Sequence, residues 1–280
     1  MAHPERLPNQ RGFTLIEMVM VIIILGVVGG MVSVFMKGPI DAYFASSRRA
    51  ALTDVADTVV RRMARDIHKA LPNSIRLSGT NCIEFIPTRT GGRYRVNDII
   101  PSPTDETSLK FTAPDLTFNM LGRNSDLPIA QQITASGGVN DVVVVYNLGI
   151  TGADAYAGNN TATISSVVDG AETVINLAGN TTQFPLASGS NRFHVIPGNE
   201  KIVSYICSGT TLYRNTNYAY SSSCPAPTPG TTPVIATGAT CSFSYDPQDI
   251  RNALVQLKMT FSSAGESVNI YHEVHVNNTP

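Results

Sequence analysis

The chain has 280 residues, 20 Lys and Arg against 21 Asp and Glu, and charged residues make up only 15% of it. That length allows one large domain or two small ones, and a formal charge of −1 removes the electrostatic case for nucleic-acid binding. Sparse charge with abundant Ser, Thr, Asn and Gly suits a β-rich exported domain.

The N-terminal region holds the strongest local signal. Arg11-Gly12-Phe13-Thr14-Leu15-Ile16-Glu17 runs into an almost uninterrupted apolar stretch from Met18 to Met36. At about 1.5 Å per residue, Phe13 to Met36 covers roughly 36 Å against a hydrocarbon core of about 30 Å. A membrane-spanning helix is predicted over 13–36, with Glu17 near its start. A lone carboxylate there costs a few kcal/mol and calls for a reason. An ordinary secretory signal would end in a small-residue cleavage site on its far side. Gly26, Gly29, Gly30 and Ser33 are weak candidates for one, and the processing-like feature lies on the near side, at Gly12-Phe13. Arg6 and Arg11 favour a cytoplasmic N-terminus, which leaves the bulk of the chain outside. Gly26 and Gly30 form a small-xxx-small pair, read either as a close-approach face for another helix or as glycines tolerated against lipid.

The helix is expected to continue over 37–71. Gly38-Pro39 should kink it, because proline removes a donor and crowds the preceding turn. Leu52, Val55, Val59, Met63 and Ile67 then recur at three- and four-residue steps as an amphipathic stripe. Arg48, Arg49, Arg61, Arg62, Arg65 and Lys69 occupy much of the remainder, and the last of them complement the helix dipole. Contact with acidic neighbours is the alternative reading of this basic cluster. Leu71-Pro72-Asn73-Ser74 is the predicted stop.

From Ile75 the pattern turns to short strands between turn clusters. Strands are predicted at 82–86, 141–146, 173–177, 192–196, 201–207, 211–214, 241–245, 254–262 and 267–276. Ser208-Gly209-Thr210 closes one hairpin, and Ala264-Gly265-Glu266 another. Residues 147–190 read as an insertion or variable face, 225–233 as a proline-rich loop, and Thr88–Arg93 as a polar, basic loop. All four cysteines, Cys82, Cys207, Cys224 and Cys241, follow the apolar segment, so an oxidising compartment permits two disulfides in three possible pairings. Cys207 and Cys224 flank a hairpin and are the preferred pair, which leaves Cys82 with Cys241; buried free thiols are the alternative.

Enzyme signatures are missing: there is no nucleophile elbow, phosphate loop or Cys-x-x-Cys pair, and no enzymatic activity or cofactor is expected. His272 and His275 are three apart in a predicted strand, which puts them on opposite faces and argues against a shared metal.

Arg11 to Glu17 resembles the class III signal of type IV pilins and type II secretion pseudopilins. The resemblance implies cleavage at Gly12–Phe13 by a prepilin peptidase/methyltransferase, N-methylation of Phe13, and an assembly role for Glu17. Glu17 would neutralise its own new amine or that of a neighbouring subunit, an interaction far stronger in low dielectric than in water. The implied fold is α+β, a pilin-like lollipop: a leader over 1–12, a transmembrane helix over 13–36, an amphipathic continuation over 37–71 and a β-rich head over 72–280. The implied location is the inner membrane, single-pass with a periplasmic head, and then the pilus surface. The implied partners are other major and minor pilins, with no nucleic acid and no metal assigned. Calcium in head loops is known in this family; Asp98, Asp105 and Glu106, or Asp154 with Asn159 and Asn160, are the oxygen-bearing candidates.

Leu71–Arg76 resembles large minor pilins and J-type minor pseudopilins. Glu84–Arg95, Val203–Cys207 and His275–Pro280 together resemble the O-type minor pilins of mannose-sensitive haemagglutinin (MSHA) pili. A minor pilin that primes or caps the filament is the implied role. A J-type pseudopilin of a type II secretion system is one alternative, and a tip adhesin for glycan or surface, suggested by the Tyr-rich stretch 213–220, is another.

Overall fold

The computed structural model describes residues 12–99, 107–179, 184–216, 218–221, 223–246 and 252–280. Arg6, Arg11, Asp105 and Glu106 lie outside them. The architecture is α+β, a long N-terminal helix followed by a β-rich head. Compact units divide within the helix, at Ala51/Leu52; the second, Leu52–Pro280, is the head.

Helix α1 (Leu15–Ile67) runs for 53 residues with Pro39 inside it. An 18-residue window has a mean hydropathy of 2.7, and none of that window is buried by the chain itself. Large apolar side chains such as Leu15 and Phe35 therefore stand exposed, at 84% and 76%. A helix apolar on all sides is stable only in an apolar surrounding, and this one is long and apolar enough to cross a membrane.

In the head, α1 buries Ala56, Val59, Val60, Met63 and Ile67. Val59, Met63 and Ile67 are the predicted stripe; Val55 is 44% exposed, and Ala56 and Val60 face inward instead. The steps 56, 59/60, 63, 67 follow the 3.6-residue period more closely than a chain through 55. Arg61, Arg62, Arg65 and Lys69 are exposed. The helix ends at Ile67, a turn before the predicted Leu71. Leu71 N–H is already given to Ile86 C=O at 2.8 Å, so the chain has joined the sheet region there.

The strands, in order, are β1 (Arg76–Ser78), β2 (Cys82–Phe85), β3 (Thr90–Arg93), β4 (Thr117–Met120), β5 (Ala135–Ser136), β6 (Val139–Asn140), β7 (Val142–Val145), β8 (Thr161–Val168), β9 (Thr173–Leu177), β10 (Arg192–Ile196), β11 (Val203–Ser208), β12 (Thr211–Thr216), β13 (Val234–Thr237), β14 (Ala239–Asp246), β15 (Asn252–Ser263) and β16 (Glu266–Asn277). They form sheets β1-β2-β11-β12-β13, β3-β10-β7-β8-β9-β4 and β14-β15-β16, with the small pair β5-β6. All pairings are antiparallel. One core unites the 56–67 face of α1 with the first and third sheets, through Phe85, Tyr205, Phe243, Leu257 and Phe261. A second core lies on the six-stranded sheet around Phe118, Phe184 and Phe193. The four valines of β7 alternate between two clusters: Val143 and Val145 join the second core, Val142 and Val144 a third with Leu71 and Ile196. Burial on both faces explains why this run shows no polar alternation.

Both predicted hairpin turns are present. Ala264 and Gly265 have φ of 48° and 83°, the left-handed pair that suits a two-residue connection between twisted strands. Gly238 links β13 to β14 at φ +67°, and a Cβ there would stand 2.2 Å from Ser262 O, so the crossing between two sheets requires glycine.

Three expectations need correction. Thr88–Arg93 is not a free loop: Thr90–Arg93 is edge strand β3, paired with β10. Arg89 is anchored to Thr134 Oγ1 at 2.9 Å and to Asn199 Oδ1 at 3.2 Å. The 147–190 segment is not a mere insertion, because it supplies β8 and β9, internal strands of the six-stranded sheet. Ala162, Ile164, Thr173, Ile175 and Leu177 carry the burial, while the Gly and Asn lie largely in the connections. The cysteines form two disulfides, but as Cys82–Cys224 and Cys207–Cys241. Cys207 sits on β11 and Cys241 on β14, and their Cα atoms are 5.9 Å apart. Sequence proximity across the 208–210 hairpin favoured Cys224, but the chain after β12 turns back across β2, where Cys82 lies.

Candidate processing and assembly site

Gly12, Phe13 and Thr14 precede α1 and are exposed. A Cβ built on Gly12 meets nothing within 4 Å, and its φ is outside the left-handed range. The fold therefore makes no demand for glycine at this position. Phe13 is 82% exposed, with no apolar pocket around it among the described residues.

Thr14 caps the helix. Its carbonyl accepts the N–H groups of Glu17 (3.1 Å) and Met18 (3.2 Å), and its Oγ1 faces the Glu17 N–H at 3.4 Å. Glu17 is thus the third helical residue, at the positive end of the helix dipole, where a carboxylate is favoured. Thr14-x-x-Glu17 has the spacing of a capping box, a signal present in the sequence that the motif reading passed over. Among the described residues no side chain pairs with the Glu17 carboxylate. Gly26, Gly29 and Gly30 likewise meet nothing within 4 Å, and packing inside this chain does not explain them.

The 52–67 segment is tied into the head by charge as well as by its apolar face. Asp66 Oδ2 accepts hydrogen bonds from Tyr205 OH at 2.8 Å and Arg214 Nε at 2.9 Å, and Arg214 Nη1 reaches Glu200 at 2.7 Å. Burial, then the Asp66 charge, raise the Tyr205 hydroxyl pKa, so it stays a donor. Burial opposes the charge on Arg214, but Glu200 and Asp66 outweigh it and hold the proton more firmly.

A second polar cluster is built on Glu84, which is fully buried. It pairs with Arg76 and accepts from Tyr218 OH. The Arg76 guanidinium lies 3.7 Å over the Tyr156 ring, and Tyr220 meets that ring edge-on at 5.6 Å. The Tyr-rich stretch proposed for ligand binding therefore contributes Tyr218 to a buried carboxylate and Tyr220 to an aromatic contact.

The calcium candidates are engaged locally. Asp98 Oδ1 takes the Ser108 N–H at 2.9 Å, and the Ser108 hydrogen bonds lower its pKa. Asp154 Oδ1 takes the Tyr156 N–H, and Asn159 Oδ1 the Asp154 N–H, both at 2.9 Å. Asn160 is buried, with its amide donating to Asn147 Oδ1 at 3.3 Å. His272 is half-buried and His275 exposed, on opposite faces of β16. No group of three or more His, Cys, Asp or Glu able to hold a metal occurs among the described residues.

Residues 7–33 match the family model of the prokaryotic N-terminal methylation motif. No curated protein and no solved structure matches the chain. The motif is a class III prepilin signal and supports a pilin-type protein, a component of a type IV pilus or a type II secretion pseudopilus. With the long apolar helix it also fits membrane anchoring and processing by a prepilin peptidase.

Proposed function

We propose that this chain is a minor pilin-type subunit, matured by hydrolysis of the Gly12–Phe13 bond and methylation of the Phe13 amine, and assembled with other pilins through Glu17. The supporting observation is the motif match at 7–33, taken with a glycine that the fold does not require. A glycine with no intramolecular reason fits one selected by another protein's narrow substrate cleft. Cleavage leaves 1–12 as leader, 13–36 as the membrane helix, and the remainder as a continuation of the helix and a periplasmic head. The new amine on Phe13 stands one helical turn from Glu17, whose carboxylate lacks a partner among the described residues. A subunit that supplies or receives that pairing is stabilised in the filament relative to the isolated state.

An initiating or tip position in an MSHA-type pilus is the finer reading, supported by the O-type resemblance of Glu84–Arg95, Val203–Cys207 and His275–Pro280. Mass spectrometry of the protein from piliated cells tests the processing: a chain beginning at N-methyl-Phe13 is expected, and an intact leader refutes it. Deleting the subunit separates the two machines: loss of pili with normal secretion supports the pilus, while normal pili with lost secretion selects the J-type pseudopilin.

A further inference from the structure

Thr14, the residue just before α1, is the second after the bond to be cut. Helix termini leave backbone N–H groups without intrahelical acceptors. Here Thr14 supplies an acceptor to Glu17 through Oγ1 at 3.4 Å, and its carbonyl begins the helical ladder to Met18 at 3.2 Å. Beside hydrocarbon, little water is at hand to satisfy such donors, so a side-chain cap counts for more than on a soluble helix. Gly12 and Phe13, just upstream, have no helical assignment. Were the helix to begin two residues earlier, the Gly12 carbonyl would accept the Ile16 N–H and be closed to a nucleophile.

We propose that Thr14 is a positioning residue for processing: its hydroxyl halts the helix so that the Gly12–Phe13 peptide stays extended, with its carbonyl open to attack. The inference rests on the cleavage reading above. Water adds across the amide, its oxygen going to the Gly12 carboxylate and the amide nitrogen leaving as the Phe13 amine. The same cap then holds the amine within a turn of Glu17.

The test uses the full-length chain in detergent micelles with a prepilin peptidase. Thr14→Val keeps the shape and removes the acceptor; Thr14→Ser and Thr14→Asn keep an acceptor and change the shape. For Thr14→Val, kcat/KM for the cut should fall about fivefold, the scale of a lost N-cap, and the Ile16 amide, taken up by the Gly12 carbonyl, should exchange more slowly with deuterium. Thr14→Ser and Thr14→Asn should stay within about twofold of wild type. Thr14 lies outside the head, so head unfolding should be unchanged in all three. Thr14→Val cut as fast as wild type, or Thr14→Asn as slow as Thr14→Val, overturns the cap and leaves the processing reading standing. Wild type left uncut at Gly12–Phe13 overturns both.

Discussion

Replacing Asp66 with Ala should loosen the hold of the head on its own helix segment. Asp66 is the only carboxylate in the buried contact between α1 and the β11–β12 hairpin found among the described residues. Its side chain is 20% exposed and that of Arg214 15%, while Tyr205 is fully buried. Breaking a buried pair costs about 3–5 kcal/mol, and a surface pair contributes about 0–1 kcal/mol. Arg214 retains Glu200 in the variant, so its charge is not stranded. The main loss is the Tyr205 hydroxyl, left without an acceptor at about 1–3 kcal/mol. A total of about 2–3 kcal/mol follows, or roughly 5–10 °C in Tm for a domain of this size. Thermal unfolding of the full chain in detergent, followed by near-ultraviolet tyrosine signals, measures it. Asp66→Asn, which keeps an acceptor oxygen, should lose less. A double-mutant cycle of Asp66→Ala with Tyr205→Phe should show coupling of about 1 kcal/mol or more. A drop below about 2 °C for Asp66→Ala, or additive single effects, would refute the reasoning.

The disulfide pairing can be mapped directly. Trypsin leaves Cys224 and Cys241 in one peptide, 215–251, so a second cut near Val234 by thermolysin is needed, after which Cys82 should be found with Cys224 and Cys207 with Cys241. On chain entropy, with separations of 142 and 34 residues, replacing the first pair by Ser should cost about 5 kcal/mol and the second about 4; a larger cost for the second would count against this ordering. Glu17→Ala should leave the precursor cleavable but lower incorporation into filaments about tenfold or more, as expected if the lost pair contributes at least about 1.4 kcal/mol; normal assembly would sink the charge-pairing role. Burial, then the charge of Arg192, lower the His194 pKa to about 4, so the fold favours the neutral ring. Stability is full above the unfolded value near 6.5 and is lost as pH falls toward 4, because the unfolded chain takes up the proton first; Tm should therefore decline from pH 7 to 4.5, and His194→Gln should flatten that slope.

The parts of this protein legible from sequence are those governed by local physics. The apolar length of 18–36 and the 3.6-residue recurrence of Val59, Met63 and Ile67 announce a helix whatever surrounds it. The strands at 192–196 and 211–214 and the hairpin at 264–265 are bounded by turn chemistry a few residues away. The failures share a different cause. Asp66 and Arg214 are 148 residues apart, and no periodicity links them. Cys224 follows a hairpin with Cys207, yet the path after β12 is set by packing over β2. Thr88–Arg93 is polar and carries two glycines, so it reads as loop; it is a strand because β10 offers it an edge and because Gly91 and Gly92 let it approach closely. A Cβ at Gly91 would lie 2.9 Å from Phe193 O, and one at Gly92 2.9 Å from the Phe193 ring. At the N-terminus the methylation motif is legible, but the cap within it is written in helix-termination chemistry, a threonine three positions before the acid.

Four separated segments carried the resemblance of the head, and the structure brings most of them to one place. β1, β2 and β11 are neighbours in one sheet, which accounts for Arg76, Glu84 and Val203–Cys207. The helix exit joins them through asparagines. Asn73 adopts φ 60°, a left-handed turn that asparagine tolerates, and its amide donates to Asn147 O at 2.9 Å and Asn278 O at 3.2 Å. Asn278 Oδ1 in turn accepts the Asn73 N–H at 3.2 Å, and Asn147 Nδ2 donates to Pro72 O at 2.7 Å. The turn leaving α1 is thus held by residues from positions 147 and 278, so its geometry depends on the rest of the head being folded. In a pilin-type subunit that coupling has a consequence. On the reading proposed above, Gly12, Thr14 and Glu17 act through cleavage and local charge, and so short a run of residues can serve any filament. On that reading, what distinguishes one filament position from another lies in the head, whose contacts at the helix exit are non-local. A substitution at Asn73 or Asn278 therefore perturbs the head without touching the N-terminal motif, and on the reading proposed above the N-terminus marks the class of machine while the head specifies the place within it.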